Sequence, residues 1–356
     1  MKFTIRKFLE RRNSPIMDRL RDNNFDALRL VFSSMVVLFH TGLLSRDSSL
    51  SWTSGISATF AVQAFFVVSG FLVTMSYENS PSTAGYFARR LRRIAPAYIV
   101  VVVIATFGLS TISTLSLRDY FSSHDTWRYL AFNLMLSNFS APTLPGVFQS
   151  NAIDAVNGSL WTIKIEVAFY CLVPLIVALV RRFKPERVLA TIFLLSILWK
   201  VGFDFAAASS GSELFQKLAK QIPGQLCYFA GGAWAYYRTR SGKGFNIFFA
   251  AAGVLVYGVG EGLLFMDVAA PLAVTAVVYW ASVHAPKLPP AAKYGDFSYG
   301  LYLYHFPIVQ TLIAVNLFHR STLIAVSTLV AILGLCAVLS WRLIEQPILH
   351  RRLRTA

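Results

Sequence analysis

The sequence predicts an all-α integral membrane protein: a polytopic bundle of about ten transmembrane helices with both the N- and C-termini cytoplasmic. Three observations predict it. The chain of 356 residues is 55% hydrophobic and only 14% charged, with a mean hydropathy of +0.54, too few charges to cover a water-soluble protein of this size. The apolar residues gather into runs near the roughly 20 residues that cross a hydrocarbon core about 30 Å thick. The basic residues sit between those runs on alternate loops, which orients the chain without conflict under the positive-inside rule. A formal net charge of +16 would suggest nucleic acid in a soluble protein. Here orientation and anionic head groups account for it, so the bilayer is the expected partner and nucleic acid is not.

In chain order, residues 1–24 form a basic cytoplasmic arm with Lys2, Arg6, Lys7, Arg11, Arg12, Arg19 and Arg21. Pro15 and the mixed pattern weaken any amphipathic helix there. Residues 25–345 form the transmembrane domain. Its first span, Phe25–Leu44, runs outward and reads as retained, because it lacks a small-residue cleavage site. Ser45–Gly55 carries little positive charge and is placed outside. The second span is Ile56–Ser76, where Ser69 and Gly70 suit close helix contact. A cytoplasmic loop ending in ARRLRRIAP leads to the third, Ile94–Leu109. Residues 115–158 are the longest stretch without a full span, and their apolar piece Tyr129–Phe139 is too short to cross. That stretch is placed outside, with a partly inserted helix capping a cavity. Spans four to ten are Ser159–Val180, Val188–Ala208, Ile222–Tyr237, Phe245–Leu264, Val268–Val283, Phe297–Phe318 and Ser321–Ile344, and residues 346–356 are a basic cytoplasmic tail. Cys171, Cys227 and Cys336 lie in apolar runs without metal-ligand spacing, so neither a disulfide nor a metal site is expected. No internal repeat is visible, so the inverted-repeat signature of many transporters is missing.

Four stretches can carry chemistry. Arg29 and His40 stand on the first span, roughly 16 Å apart along the axis and only about 20° off one face. Charge in hydrocarbon is costly, so such residues tend to face a polar cavity; a snorkelling arginine and a structurally bonded histidine are the alternative. In Arg89–Pro96, the residues Arg89, Arg92 and Arg93 share a helix face at the cytoplasmic mouth, where guanidinium forks suit phosphate oxygens; a topological stop signal is the alternative. In Asn157–Tyr170, Glu166 lies roughly 10 Å below the outer surface, near the depth of His40. It could fix the tautomer of that histidine and raise its basicity, or it could make a structural contact to lysine or tyrosine. In Gly295–Pro307, the residues Ser298, Tyr302 and His305 line one face, with His305 about 12 Å into the inner half. Pro307 kinks that helix and frees a carbonyl. Glu345-Gln346-Pro347 reads as a structural cap on the last span.

Together these stretches resemble the membrane acyltransferase-3 family, the O-acetylases that modify bacterial surface and secreted glycans. The matching pieces are Asp26–Arg29 with ten residues to His40, FFVVSGFL at Phe65–Leu72, RRLRRIAP at Arg89–Pro96, SLWTIKIEVAFY at Ser159–Tyr170, GDFSYGLYLYHFP at Gly295–Pro307 and EQP at Glu345–Pro347. They occur in the family's order. The chain departs from the pattern in its basic arm before residue 25 and in lacking an appended soluble hydrolase-like domain.

The resemblance implies a multi-pass protein of the bacterial inner membrane, using acyl-CoA, most simply acetyl-CoA, as donor substrate from the cytoplasm. The implied acceptor is a hydroxyl of an extracytoplasmic glycan: O-antigen, exopolysaccharide or a lipid-linked sugar. His40 would be the general base, or a transient acyl carrier, with Glu166 orienting or charge-balancing it. Arg29, Arg92 and Arg93 would bind the donor phosphates, and Tyr302 and His305 would line the donor channel. The competing reading is a multi-pass transporter of a small anion or lipid-linked sugar, which intramembrane charge supports equally but the missing repeat does not. A third is a structural subunit of a glycan-export machine, in which His40 and Glu166 would be replaceable.

Overall fold

A computed structural model describes residues 23–259, 266–289, 291–293 and 295–350. Most of the predicted basic arm and the last six residues of the predicted tail lie outside the described residues. What is described is helical, with no strand. The helices are α1 Phe25–Ser45, α2 Ala58–Glu78, α3 Thr83–Gly108, α4 Leu117–Ser122, α5 His124–Leu134, α6 Trp161–Arg182, α7 Pro185–Ser210 and α8 Glu213–Ala219. They continue with α9 Ile222–Arg240, α10 Ile247–Val259, α11 Met266–Tyr279, α12 Ser298–Ala314, α13 Leu317–Arg320, α14 Thr322–Leu339 and α15 Gln346–His350. Local signals set many ends. Ser116, Ser123 and Ser321 cap α4, α5 and α14 through their hydroxyls, and α7 opens on Pro185 and stops at Gly211 with φ 67°, the left-handed conformation glycine adopts without strain.

Each of the ten predicted spans overlaps a helix, and residues 260–264 of the seventh lie outside the described residues. Seven helical stretches among the described residues are long and apolar enough to cross a membrane: Phe25–Ser45, Ala58–Glu78, Thr83–Ile112, Gly158–Arg182, Pro185–Ser210, Met266–His284 and Thr322–His350. The other three predicted spans coincide with α9, whose apolar run is diluted by glycine, tyrosine and arginine, with α10, which has 13 described residues, and with α12, which has 17. One boundary differs clearly. The basic run ARRLRRIAP, expected to end a loop, lies inside α3, because alanine, leucine and arginine are strong helix formers and the helix runs through Pro96.

The residues group into two compact units. The first comprises the described residues of Met1–Leu28, Val62–Thr83 and Ala168–Pro290. Here α2 and α9 touch backbone to backbone. A Cβ on Gly70 would stand 2.1 Å from the Phe229 carbonyl oxygen, and one on Gly232 would stand 1.9 Å from that of Val67, so these glycines permit the close contact expected for Gly70. Several charges on its helices are paired: Lys200 with Asp204 and Asp267, and Glu78 with Arg240 at 2.9 Å and the Tyr237 hydroxyl at 3.0 Å.

The second unit comprises the described residues of Arg29–Ala61, Ala84–Val167 and Ala291–Ala356, and it carries every candidate site residue. The 115–158 stretch holds two short helices here, α4 and α5. Tyrosines tie them to α3: Tyr98 donates to the Asn133 carbonyl and Tyr120 to that of Thr106. Gln310 on α12 is fully buried. It accepts from Asn151 and donates to the carbonyls of Ile153 and Ala155, so the end of the stretch is stitched back onto the helix bearing His305.

Candidate active site

The site is built at two levels where α1 and α12 meet. At the first level, Arg29 Nη1 lies 2.6 Å from Asp296 Oδ2, and Arg93 Nη2 lies 2.5 Å from the same oxygen. Arg93 Nη1 reaches Glu345 Oε2 at 3.0 Å. The second oxygens are also held, Asp296 Oδ1 by Ser298 Oγ and Glu345 Oε1 by Ser340 Oγ. Asp296 precedes α12, outside the apolar segment. Burial alone would raise its carboxyl, but the guanidiniums of Arg29 and Arg93 and the Ser298 hydroxyl outweigh that and hold it well below the usual carboxylate range. Two guanidiniums and two carboxylates thus form a neutral network in which each charge has a bonded partner, the condition for keeping ions out of water.

At the second level, His40 Nδ1 lies 2.9 Å from His305 Nε2. The remaining nitrogen of His305, Nδ1, faces the backbone carbonyls of Tyr302 at 2.8 Å and Leu301 at 3.2 Å. Carbonyls only accept, so that nitrogen carries the hydrogen, and the neutral ring keeps a lone pair on Nε2. The hydrogen in the His40–His305 contact therefore belongs to His40 Nδ1, and His40 Nε2 is left with the lone pair. The hydrogen-bond network thus assigns the tautomer of both rings. Phe306 meets the edge of His40 with ring centres 5.3 Å apart, and His305 is fully buried.

The start of α6 completes the cluster. Tyr302 shares a hydrogen bond with Thr162 Oγ1 at 2.7 Å and lies 3.2 Å from the Ser159 carbonyl. Pro307 has no N–H to give the carbonyl four residues back, which is that of Leu303. Asn157 Nδ2 donates to that carbonyl at 2.9 Å, so the group freed by the proline has a partner. Gly158 lets this segment approach, since a Cβ there would stand 2.9 Å from the Phe306 ring.

Of the sequence-predicted residues, Arg29, Arg93, His40, Tyr302 and His305 are brought together in this unit. Arg92 stands beside Arg93 on α3, half-buried. Two expectations differ. His40 bonds to His305 where Glu166 was expected; Glu166 is half-buried on α6, within electrostatic reach of Tyr302. His305 was expected in the inner half and His40 in the outer, yet they touch. The starts of the two apolar runs do not stand level with each other, whereas Arg29 and Asp296 do. From there His40 is eleven residues on and His305 nine, a difference of roughly 3 Å of rise. Sequence reasoning missed Asp296 and Asn157 and read Glu345 only as a cap. The available signals were an acid just ahead of a helix and an Asn-Gly-Ser start.

No group of three His, Cys, Asp or Glu side chains able to hold a metal ion occurs among the described residues. Comparison with known proteins gives a family profile, described as "Acyltransferase domain", that matches residues 22–341. Nodulation protein 10 of Rhizobium leguminosarum bv. viciae is 29% identical over 352 residues, covering 93% of this chain and 94% of that protein. An O-acetyl transferase of Shigella phage Sf6 is 27% identical, covering 93% and 97%. The O-acetyltransferase OatA of Staphylococcus aureus is 26% identical over 297 residues, covering 74% of this chain and 47% of its own length. No solved structure matches.

Proposed function

The chain belongs to the acyltransferase family whose profile covers residues 22–341, and from that membership we propose that it is a membrane O-acetyltransferase with His40 as general base. The donor is cytoplasmic acetyl-CoA, and the acceptor is a hydroxyl of an extracytoplasmic glycan or lipid-linked sugar. A relative named as an O-acetyl transferase that aligns along 93% of the chain, and another over 74% of it, support the activity class. The observation that carries the mechanism is the assigned tautomer pair. His40 Nε2 has the lone pair, while its Nδ1–H is held by His305 at 2.9 Å.

In this reading the glycan hydroxyl gives its proton to His40 Nε2 as its oxygen attacks the thioester carbonyl carbon. A C–O bond forms and the C–S bond breaks. The departing thiolate takes the proton from the imidazolium, which returns the base and yields the free thiol. His305 is a positioning residue: as His40 becomes cationic, its Nδ1–H···Nε2 bond becomes charge-assisted and strengthens. Because that gain appears as positive charge develops on His40, it accelerates the step rather than only tightening binding.

Arg29, Arg92 and Arg93 hold the donor phosphates at the other level, roughly 16 Å from His40 along α1. Asp296 and Glu345 fix two of these guanidiniums before the donor arrives, which lowers the ordering cost of binding. The phosphates stay at the arginines while the pantetheine arm extends past Tyr302 toward the histidines. Glu166 acts on Tyr302 rather than on the base.

The test is membranes carrying His40→Ala or His40→Gln, supplied with radiolabelled acetyl-CoA and acceptor polysaccharide. Both variants should remain in the membrane and leave the polysaccharide unlabelled. Normal labelling by either would remove His40 from the reaction, and flux of intact label into vesicles without transfer would favour a carrier.

A further inference from the structure

Acyl transfer at His40 needs no aromatic ring, yet Phe306 is pressed against the imidazole. The ring centres of Phe306 and His40 are 5.3 Å apart with the planes at 72°, and Phe306 lies 6.2 Å from the ring centre of His305 at 73°. The two imidazoles are 5.1 Å apart and nearly parallel. Phe306 thus stands across both imidazoles, nearer to His40. Because His305 holds the Nδ1 side of His40, Phe306 flanks the His40 ring rather than capping Nε2.

The ring is also fixed at its tip. Phe306 is 3% exposed, and a Cβ on Gly158 would stand 2.9 Å from its Cζ and 3.0 Å from its Cε2. Gly158 in turn has an anchored neighbour on each side. Asn157 donates to the Leu303 carbonyl at 2.9 Å, and its Oδ1 accepts from the Ser159 hydroxyl at 2.6 Å and the Ser159 amide at 3.2 Å. Leu303 and Phe306 belong to one helix, α12, so the ring and the backbone at its tip share a frame.

In the proposed transfer, the acceptor oxygen lies about 3 Å from His40 Nε2, and the thioester carbon about 3–3.5 Å from that oxygen at attack. The acyl chain therefore begins within roughly 6 Å of Nε2, the range at which Phe306 stands. The sulfur departs toward the arginines and the acceptor enters from the outer side, so the acyl chain extends sideways from the helix axes. We propose that Phe306 limits the length of that chain, admitting acetyl and rejecting butyryl, with Gly158 holding the ring tip in place. Phe306 is a selecting residue, not a catalytic one, and its role rests on acyl transfer at His40 as read above. A close-packed interior does not yield to an added group at no cost, and one methylene in an apolar pocket is worth roughly 10–200-fold in discrimination.

The test is kcat/KM in membranes carrying the full chain, supplied with acceptor polysaccharide and with acetyl-, propionyl- or butyryl-CoA labelled at the acyl carbonyl carbon. The parent should favour acetyl over butyryl by at least about tenfold, with propionyl between them. Phe306→Leu should shrink that ratio by about tenfold by raising butyryl transfer itself. Phe306→Met, close to the parent volume but flexible, should shift it the same way and serves if the leucine variant does not fold. Adding Gly158→Ala to Phe306→Leu should restore the preference, because the new methyl enters the space the ring tip vacates. Misfolding lowers transfer from all three donors alike, so the ratio separates selection from packing, and melting temperatures in detergent identify the folded variants. An unchanged ratio in a folded Phe306 variant overturns the proposal and leaves acetyl transfer at His40 standing, as does a parent that transfers butyryl as fast as acetyl. A parent that transfers none of the three overturns the acyl-transfer reading, and the role of Phe306 with it.

Discussion

Replacing His305 separates its two possible roles. In the resting site the His40 Nδ1–H···Nε2 His305 bond, at 2.9 Å, joins two neutral rings and is worth about 0.5–1.5 kcal/mol. Once His40 takes the acceptor's proton, the donor is an imidazolium and the same bond is worth about 1.5–3 kcal/mol. The difference, about 1–2 kcal/mol, belongs to the transition state and corresponds to roughly 5–30-fold in rate. Freeing the ring to adopt the other tautomer adds to the loss. His305→Asn places its amide near the old Nδ1 position, too short to reach His40, and should lower kcat by roughly 10–100-fold with little change in KM for the donor. His305→Gln carries an amide oxygen out to the old Nε2 position and should retain activity within about fivefold of the parent. The assay is initial-rate acetyl transfer from labelled acetyl-CoA in membranes, with melting temperatures measured in detergent to exclude misfolding. If His305 only lines the donor channel, both variants raise KM and leave kcat alone. That split, in folded protein, would refute the positioning argument.

Two further expectations concern the supports of the site. Asp296→Asn leaves Arg29 and Arg93 without their shared carboxylate and should cost about 3–5 kcal/mol, read as a lower melting temperature in detergent. Because folding lowers the Asp296 pKa, its contribution is whole above the unfolded value near ~3.9 and fades as pH falls below that. The parent should therefore lose stability on acidification through this window, and Asp296→Asn should lack that share of the loss. Asn157→Ala strips the Leu303 carbonyl of its donor and should cost about 1–3 kcal/mol. Adding Pro307→Ala restores a backbone N–H to that carbonyl, so the double variant should recover part of the melting temperature, whereas additive losses would show that Asn157 acts elsewhere.

Several features were legible before any coordinates. The apolar runs locate the helices because each must satisfy its own backbone within hydrocarbon. The single-face placement of Arg29 and His40 followed from helix periodicity, and His40 meets a partner on α12 while Arg29 meets Asp296 just ahead of that helix. The freed carbonyl at Pro307 followed from the chemistry of proline, although its partner, Asn157, did not. Charge was a poorer guide to boundaries. Hydropathy ends a span at the arginines of α3, while the helix itself continues through them.

The sequence by itself determined that this is a helical membrane protein of the acyltransferase family, and it named the imidazole and guanidiniums on which the proposed chemistry rests. Only the tertiary structure decided who meets whom: His40 with His305 rather than Glu166, and Arg29 with Arg93 around one aspartate. Periodicity fixes rotation and rise within one helix, but the vertical offset between two helices comes from packing and from the ion pairs themselves. An offset of two residues, roughly 3 Å, is the whole difference between two histidines in separate halves of the bilayer and two histidines sharing a proton.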